Sequence, residues 1–353
     1  MVEGTGSPGP SLVGMEHSVT HAASPPPATR HPVRTALLVI GIPLVVAIIV
    51  AIVAGGMYAS NLSYTFDSTK KFDVAEVFPE EEARPAVTVP ASQNILLMGS
   101  DTRGTISDNI DEVIGDRSDT MMVVHIAANR KNVHVMSIMR DSWVEIPGHG
   151  TAKLNAALSL GGVPLVVQVV ESLISSRIDR VAVVDFAGFA GLTDALGGVR
   201  VDNPVAFTAK EGGHTYTTGP IELNGNEALG FVREPKEHTD SDYQRVKNQQ
   251  LFLKSALNKT LSAETLTNPV TINNLVASIT PFLTLDSGFT SAYAAGLAFE
   301  LRDIRMEDVT FFTMPTVGIG REGKQSVVYI DWEQLVVLQQ HFRDDSLTSF
   351  NPS

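Results

Sequence analysis

Charged residues in this chain gather at the ends of apolar runs. Asp101 and Arg103 follow NILLMGS directly, Arg117 and Asp119 precede TMMVVHIA, and Arg140 with Asp141 follows VHVMSIM. If the second and third runs form a hairpin with Asn129-Arg130 as a two-residue turn, residue 128 pairs with 131. Counting outward then sets 119 opposite 140, because antiparallel pairing keeps the index sum constant. An antiparallel neighbour relation for the first run brings Asp101 to the same rim. Two carboxylates and three guanidiniums would share one sheet edge. Carboxylates that fill part of an octahedral shell suit Mg²⁺, and arginine forks bind phosphate oxygens bidentately. The same spacing also describes strand-end ion pairs, Asp119 with Arg140 for example, and spacing alone does not choose.

A second set lies in GFVREPKEHTDSDYQRVKNQQ. Arg233 follows a short helical stretch, while Asp242, Arg245 and Gln249 open a long one. Arg245 and Gln249, four apart, share a helix face. Asp242 suits a helix N-terminus and Arg245 opposes the dipole there, which leaves a solvated first turn and a binding role both open. Other signals carry less. Gly318–Gly323 has the form G-x-G-x-x-G but precedes a strand-like SVVYI, so no helix N-terminus follows it and we expect a loop. His125 and His134 sit singly in strands and are expected to be satisfied or exposed rather than metal ligands.

These residues need a scaffold. Strands are predicted at Asn94–Met98, Thr120–Ala127, Val133–Met139, Arg180–Phe186 and Val309–Thr313, with a hairpin through Val327–Ile330. Helices are predicted at Val163–Ile174, Gly188–Leu196, Asn224–Gly230, Tyr243–Leu261, near 271–282 and 288–302, and from Trp332. Interspersed strands and helices indicate an α/β fold, a single layered α-β-α domain around a mixed central sheet. The apolar segments Val163–Ile174 and Phe186–Leu196 read as core helices or as the lining of a lipid groove.

Composition frames the rest. Residues 1–35 are rich in Gly, Pro and Ser and read as a disordered cytoplasmic tail. The uncharged run over 36–57 is long enough to cross a bilayer as an N-terminal transmembrane helix. Arg30 and Arg34 precede it and Asp67, Asp73 and Glu80–Glu82 follow, so the N-terminus is expected inside and the domain outside the cell membrane. Residues 58–92 read as an extracytoplasmic stalk, 93–345 as the globular domain and 346–353 as a C-terminal tail. The 353-residue chain has no cysteine, so an exported domain would depend on its core alone. A net charge of −13 argues against a nucleic-acid partner and requires any anionic ligand to find a local basic pocket.

Taken in order, GSDTR, RSDTMMV, SIMRDSW, KLNAA, DALGGV, FVRE and DYQRVKNQQ resemble the LytR-CpsA-Psr family over Asn94 to Leu261. The resemblance implies an extracytoplasmic phosphotransferase moving a glycopolymer from a polyprenyl-pyrophosphate carrier to a peptidoglycan acceptor, with polyprenyl phosphate released. It further implies Mg²⁺ on Asp101 and Asp119, and pyrophosphate contacts from Arg117 and Arg140, with Arg103 beside them. Arg233, Arg245 and Gln249 match the other half of the pocket, and Lys153 of KLNAA is placed to neutralise a phosphate. A pyrophosphatase side activity is compatible with such a site. The family commonly has R-x-R where this chain has Arg233-Glu234-Pro235, so one contact is missing or falls to Lys236. A polyprenyl-phosphate-binding module without turnover, or an envelope regulator, are the alternative functions.

Overall fold

The computed structural model describes residues 55–100, 118–209, 213–233 and 241–351. The chain divides into residues 1–56, nearly all outside the described part, and a compact unit, 57–353, that carries the fold. The tail and most of the run expected to cross the membrane therefore lie outside the described residues.

The central strands are β1 (Lys70–Phe72), β2 (Gln93–Ser100), β3 (Ser118–Ile126) and β4 (Val133–Ile138). β5 (Ser142–Ile146), β6 (Gly150–Lys153) and β7 (Arg180–Asp185) follow. Two small ribbons pair β8 (Val199–Asn203) with β11 (Gly219–Leu223), and β9 (Phe207–Thr208) with β10 (Thr215–Tyr216). The chain closes with β12 (Leu283–Asp286), β13 (Val309–Thr313), β14 (Thr316–Glu322) and β15 (Gln325–Ile330). A mixed seven-stranded sheet runs β1-β12-β7-β2-β3-β4-β13, and a second sheet runs β14-β15-β5-β6.

The helices are α1 (Ala156–Ile174), α2 (Phe186–Ala195), α3 (Gly225–Arg233), α4 (Ser241–Thr260), α5 (Pro269–Ile279), α6 (Ser291–Glu300) and α7 (Trp332–Arg343). The central strands are apolar on both faces because both are covered. Leu96, Met98, Met121, Val123, Met136 and Ile138 meet α1 and α7 on one side. Ile95, Met122, Val133 and Val135 meet α6 and Leu253 of α4 on the other. This is the expected α-β-α layering. A separate cluster joins α2, α3, α4 and α5 around Phe231, Phe252 and Leu275.

Three expectations need correction. Residues 58–92 are more than a stalk: β1 pairs parallel with β12 at the sheet edge, and Phe72, Val77 and Phe78 are buried in the main core. Arg84 Nη2 lies 2.6 Å from Glu171 of α1, whose Oε1 also accepts from Ile178 N. Such a buried, multiply bonded pair is costly to break. Isolated apolar residues in a charged stretch give no period, which hid this packing. Val163–Ile174 packs as a core helix, one of the two readings of that segment, with Val163, Val166, Val167 and Val170 fully buried. That helix is long and apolar enough to cross a membrane, but its burial marks it as core.

Gly318–Gly323, expected as a loop, belongs mostly to strand β14. Gly318 has φ +128° at a bulge, and a Cβ at Gly320 would stand 2.1 Å from the Tyr329 ring. The glycines serve a strand here rather than a turn. The β3–β4 turn is wider than two residues. Ala127 N donates to Asn132 O, and Arg130 adopts φ 58° inside the intervening residues.

At that turn end of the sheet, His125 and His134 face each other across β3 and β4, both buried. His125 is satisfied on both ring nitrogens, by Asn94 Oδ1 at 2.8 Å and Asp345 Oδ1 at 2.9 Å. Burial, with His125 nearby, lowers the His134 pKa to about 4. Below the ordinary His value the unfolded chain takes a proton that the folded chain resists, so this stability is full at neutral pH and lost as pH falls toward 4. Urea unfolding of wild type should lose about 2 kcal/mol more than His134→Thr between pH 7.5 and pH 5. Equal losses would mean that His134 is not held neutral.

Candidate active site

The end of the sheet opposite the two histidines carries the candidate residues. β3 pairs antiparallel with β4 from Met121 opposite Ile138 to Ile126 opposite Val133. The pairs keep the constant index sum expected from spacing, and Arg140 follows β4 two residues beyond the last of them. β2 pairs antiparallel with β3 and parallel with β7, so Ser100 meets both Ser118 and Asp185. A register shift between Gly99 and Ser100 interrupts the β2–β3 ladder just before its last pair, and bulges commonly re-aim residues beside sites. Asp101, Arg103 and Arg117 lie outside the described residues, as does the Asp119 side chain. The backbone of Asp119 is part of β3.

The described cations are brought together by short links. Arg140 follows β4, and Lys153 ends β6, where it pairs with Trp143. Asp141 joins them: its Oδ1 lies 3.8 Å from Arg140 Nε and its Oδ2 3.3 Å from Lys153 Nζ. Asn155 N donates to Arg140 O at 3.0 Å, so the chain after β6 fixes the Arg140 backbone. Met139, Val246 and Val328 form a small buried cluster. Val246 thus seats the start of α4 beside Arg140 and carries Arg245 with it. The Nε atoms of Arg140 and Arg245 are both buried.

Arg233 occupies the last turn of α3, where a cation suits the helix dipole. Its position depends on α4. Asn248 Nδ2 donates to Phe231 O at 3.1 Å and Gln249 Nε2 to Val232 O at 3.4 Å. Gln249, 9% exposed, is thus seen tying α4 to the end of α3 one residue before Arg233. Sequence reasoning missed Asn248, and it missed Asp185. Asp185 is buried at the carboxyl end of β7, beside Ser100, where ligands of α/β sheets commonly bind. That strand-end placement was the available signal.

Four cations, Arg140, Lys153, Arg233 and Arg245, therefore stand against Asp141 and Asp185 among the described residues of this region. In a chain of net charge −13 the described side chains here carry an excess of positive charge. Planar guanidinium forks carried on adjoining elements suit a phosphate or diphosphate. Among the described residues no group of three or more His, Cys, Asp or Glu side chains is placed to hold a metal.

A three-layer α/β domain with arginines near its strand ends suits an oxyanion ligand. A family model for LytR_cpsA_psr matches residues 53–343, and the chain belongs to that family. It is 32% identical over 228 residues to the polyisoprenyl-teichoic acid–peptidoglycan teichoic acid transferase TagU of Bacillus mycoides, covering 62% of this chain and 70% of that one. It is 34% identical over 230 residues to the probable cell wall biosynthesis protein LcpB of Corynebacterium glutamicum, covering 63% and 55%. The crystal structure of Bacillus subtilis TagV shares the fold, with a TM-score of 0.60 at 24% identity over 72% of this chain and 97% of that one.

If these cations form one anion site, inorganic diphosphate should bind the full chain. Arg245→Gln and Lys153→Gln should each weaken it by about 1.5–3 kcal/mol, roughly tenfold or more, in calorimetric titration. Arg130→Gln, at the other end of the β3–β4 hairpin, should leave it unchanged. Equal weakening in all three variants would mean a diffuse charge effect.

Proposed function

We propose that this chain is a cell-envelope phosphotransferase that moves a glycopolymer from a polyprenyl diphosphate to peptidoglycan. The observation that carries the proposal is the cationic rim, in which Arg140, Lys153, Arg233 and Arg245 are fixed by backbone and buried packing. Family membership and the activity for which TagU is named supply the substrate class.

In this proposal the guanidiniums hold the diphosphate oxygens in line for attack. An acceptor hydroxyl forms a bond to the phosphorus nearer the glycan. The bond from that phosphorus to the bridging oxygen breaks, and polyprenyl phosphate leaves with the electron pair. The hydroxyl proton passes to a carboxylate of the rim, for which Asp101, Asp119 and Asp185 are the candidates. Little covalent chemistry is asked of the protein, since positioning and charge stabilisation lower the barrier in phosphoryl transfer.

An oxygen-only donor set of carboxylates beside arginines, in a chain without cysteine, fits Mg²⁺ rather than a thiophilic metal. Asp101 and Asp119 are proposed to hold it, and a bound Mg²⁺ supplies charge neutralisation on the diphosphate. The apolar run after Arg34 is proposed as the membrane anchor, with the domain outside. Hydrolysis of the same diphosphate by water would be a side activity of this geometry.

Two experiments test the proposal. Asp101→Asn and Asp119→Asn should each abolish most Mg²⁺-dependent release of polyprenyl phosphate and remove the Mg²⁺-induced rise in melting temperature seen with a diphosphate ligand. An unchanged metal response in both would return these residues to strand-end ion pairs. Arg140→Lys and Arg233→Lys keep charge but lose the planar fork. Each should cut turnover by at least about tenfold, roughly 1.4 kcal/mol, with a smaller loss in equilibrium binding. Equal losses in the two assays would assign these arginines to capture alone, and tight binding without turnover in wild type would end the enzyme proposal.

A further inference from the structure

β13 runs parallel to β4, with Thr313 in register with Ser137, so it ends at the same rim one strand further out. Beyond its end lies a cleft of about 510 Å³, walled by residues 311–318, Tyr243 of α4 and Gln334 of α7. That volume falls within the range of about 300–1,000 Å³ usual for small-molecule sites. Neighbouring strands are about 4.8 Å apart, so the cleft begins roughly that far from the end of β4.

The cleft is tied to the cationic rim. Gln250 Nε2 donates to Phe312 O at 3.0 Å, and the Tyr243 and Thr316 hydroxyls are 2.6 Å apart. The same Tyr243 packs on the cluster of Met139 and Val246, the neighbours of Arg140 and Arg245. One helix therefore forms a wall of the cleft and a wall of the charged site.

The chemistry of the two is opposite. None of the described residues lining the cleft is charged. Its polar groups are the hydroxyls of Tyr243, Thr313 and Thr316 and the Gln334 amide, with apolar surface from Val317, which is 68% exposed. A diphosphate has no cation to meet here. A neutral polyhydroxyl ligand meets hydroxyl and amide partners for its own hydroxyls and apolar surface for its C–H faces.

We propose that this cleft is the acceptor subsite, holding the glycan strand that supplies the attacking hydroxyl. The proposal rests on the transferase activity above. It places the donor diphosphate at the ends of β3 and β4 and the acceptor at the end of β13, with Tyr243 and Gln334 as positioning residues.

The test uses the full chain in nanodiscs, a polyprenyl-diphosphate glycan as donor and a peptidoglycan oligosaccharide as acceptor. Gln334→Ala removes a side-chain amide, and Val317→Arg places a cation at an exposed wall where the fold does not depend on it. Each should raise the acceptor KM about fivefold or more, the loss expected of one hydrogen bond or one blocked contact. Donor KM and kcat at saturating acceptor should stay within about twofold. Saturation-transfer NMR with the oligosaccharide alone should show binding to wild type and to Val317→Ala, and its loss in Val317→Arg. Unchanged acceptor KM in both variants, with unchanged melting temperature, overturns the proposal. So does a rise in donor KM instead, which would seat the donor glycan in the cleft. Absence of transfer by wild type would count against the enzyme itself, and the oligosaccharide titration would then decide the cleft alone.

Discussion

The antiparallel register that sets Met121 opposite Ile138 governs the rest of the molecule. It brings the start of β3 beside the end of β4, and the β2 ladders align Ser100 with Ser118 and Asp185. A slip of one residue would turn Met121, Val123, Met136 and Ile138 from the α1 face to the α4 face. Because both faces are filled by different helices, such a slip would lose the packing of two layers at once. The charged rim inherits its geometry from that apolar constraint. No charged group needs to specify the sheet, which leaves the rim residues available for a ligand.

Placing four cations at one end of a sheet carries a cost that the other end does not share. There His125, Asn94 and Asp345 are paired within the fold. Asn94 joins His125 to the Arg177 carbonyl, and Asp345 receives both His125 and Ala128 N. Asp345 itself takes a left-handed backbone, φ 54°, to reach them. The chain after α7 is thus bound onto the sheet bottom. Stability tied to such a network lies far from the rim, so loss of a histidine and loss of an arginine should have separate consequences.

Much of this was legible because periodicity and punctuation agree over most of the sheet. The β3–β4 relation survived a wrong turn length, since the four intervening residues are placed symmetrically and the index sum is unchanged. Val309–Thr313 is a strand as read, and the helix predicted from Val163 begins where Gly161 and Gly162 interrupt α1. What escaped was carried by tertiary contact. Phe72, Val77 and Phe78 are scattered among charges and show no period, yet all three are buried in the core. Gly318 and Gly320 look like a loop until Tyr329 stands across from them. At the site, residue types and strand ends were readable for Arg140, Lys153 and Arg233. The links that hold them, Asp141 to Lys153 and Asn248 to Phe231, join segments whose meeting no local pattern encodes.

On the proposed function, one edge would serve two ligands of different charge. Guanidiniums raise the local concentration of an anion over roughly a Debye length, about 8 Å at physiological salt. The rest of the acidic surface repels it, so a diphosphate would be concentrated at the ends of β3 and β4. A neutral glycan feels neither force and must be retained by contact and hydrogen bonds alone. Had the β13 cleft carried lysines or arginines, it would compete for the diphosphate and blur which substrate sits where. Its uncharged lining keeps the donor's phosphates one strand away while α4 joins the two walls. Order between donor and acceptor would then follow from charge partition along a single rim.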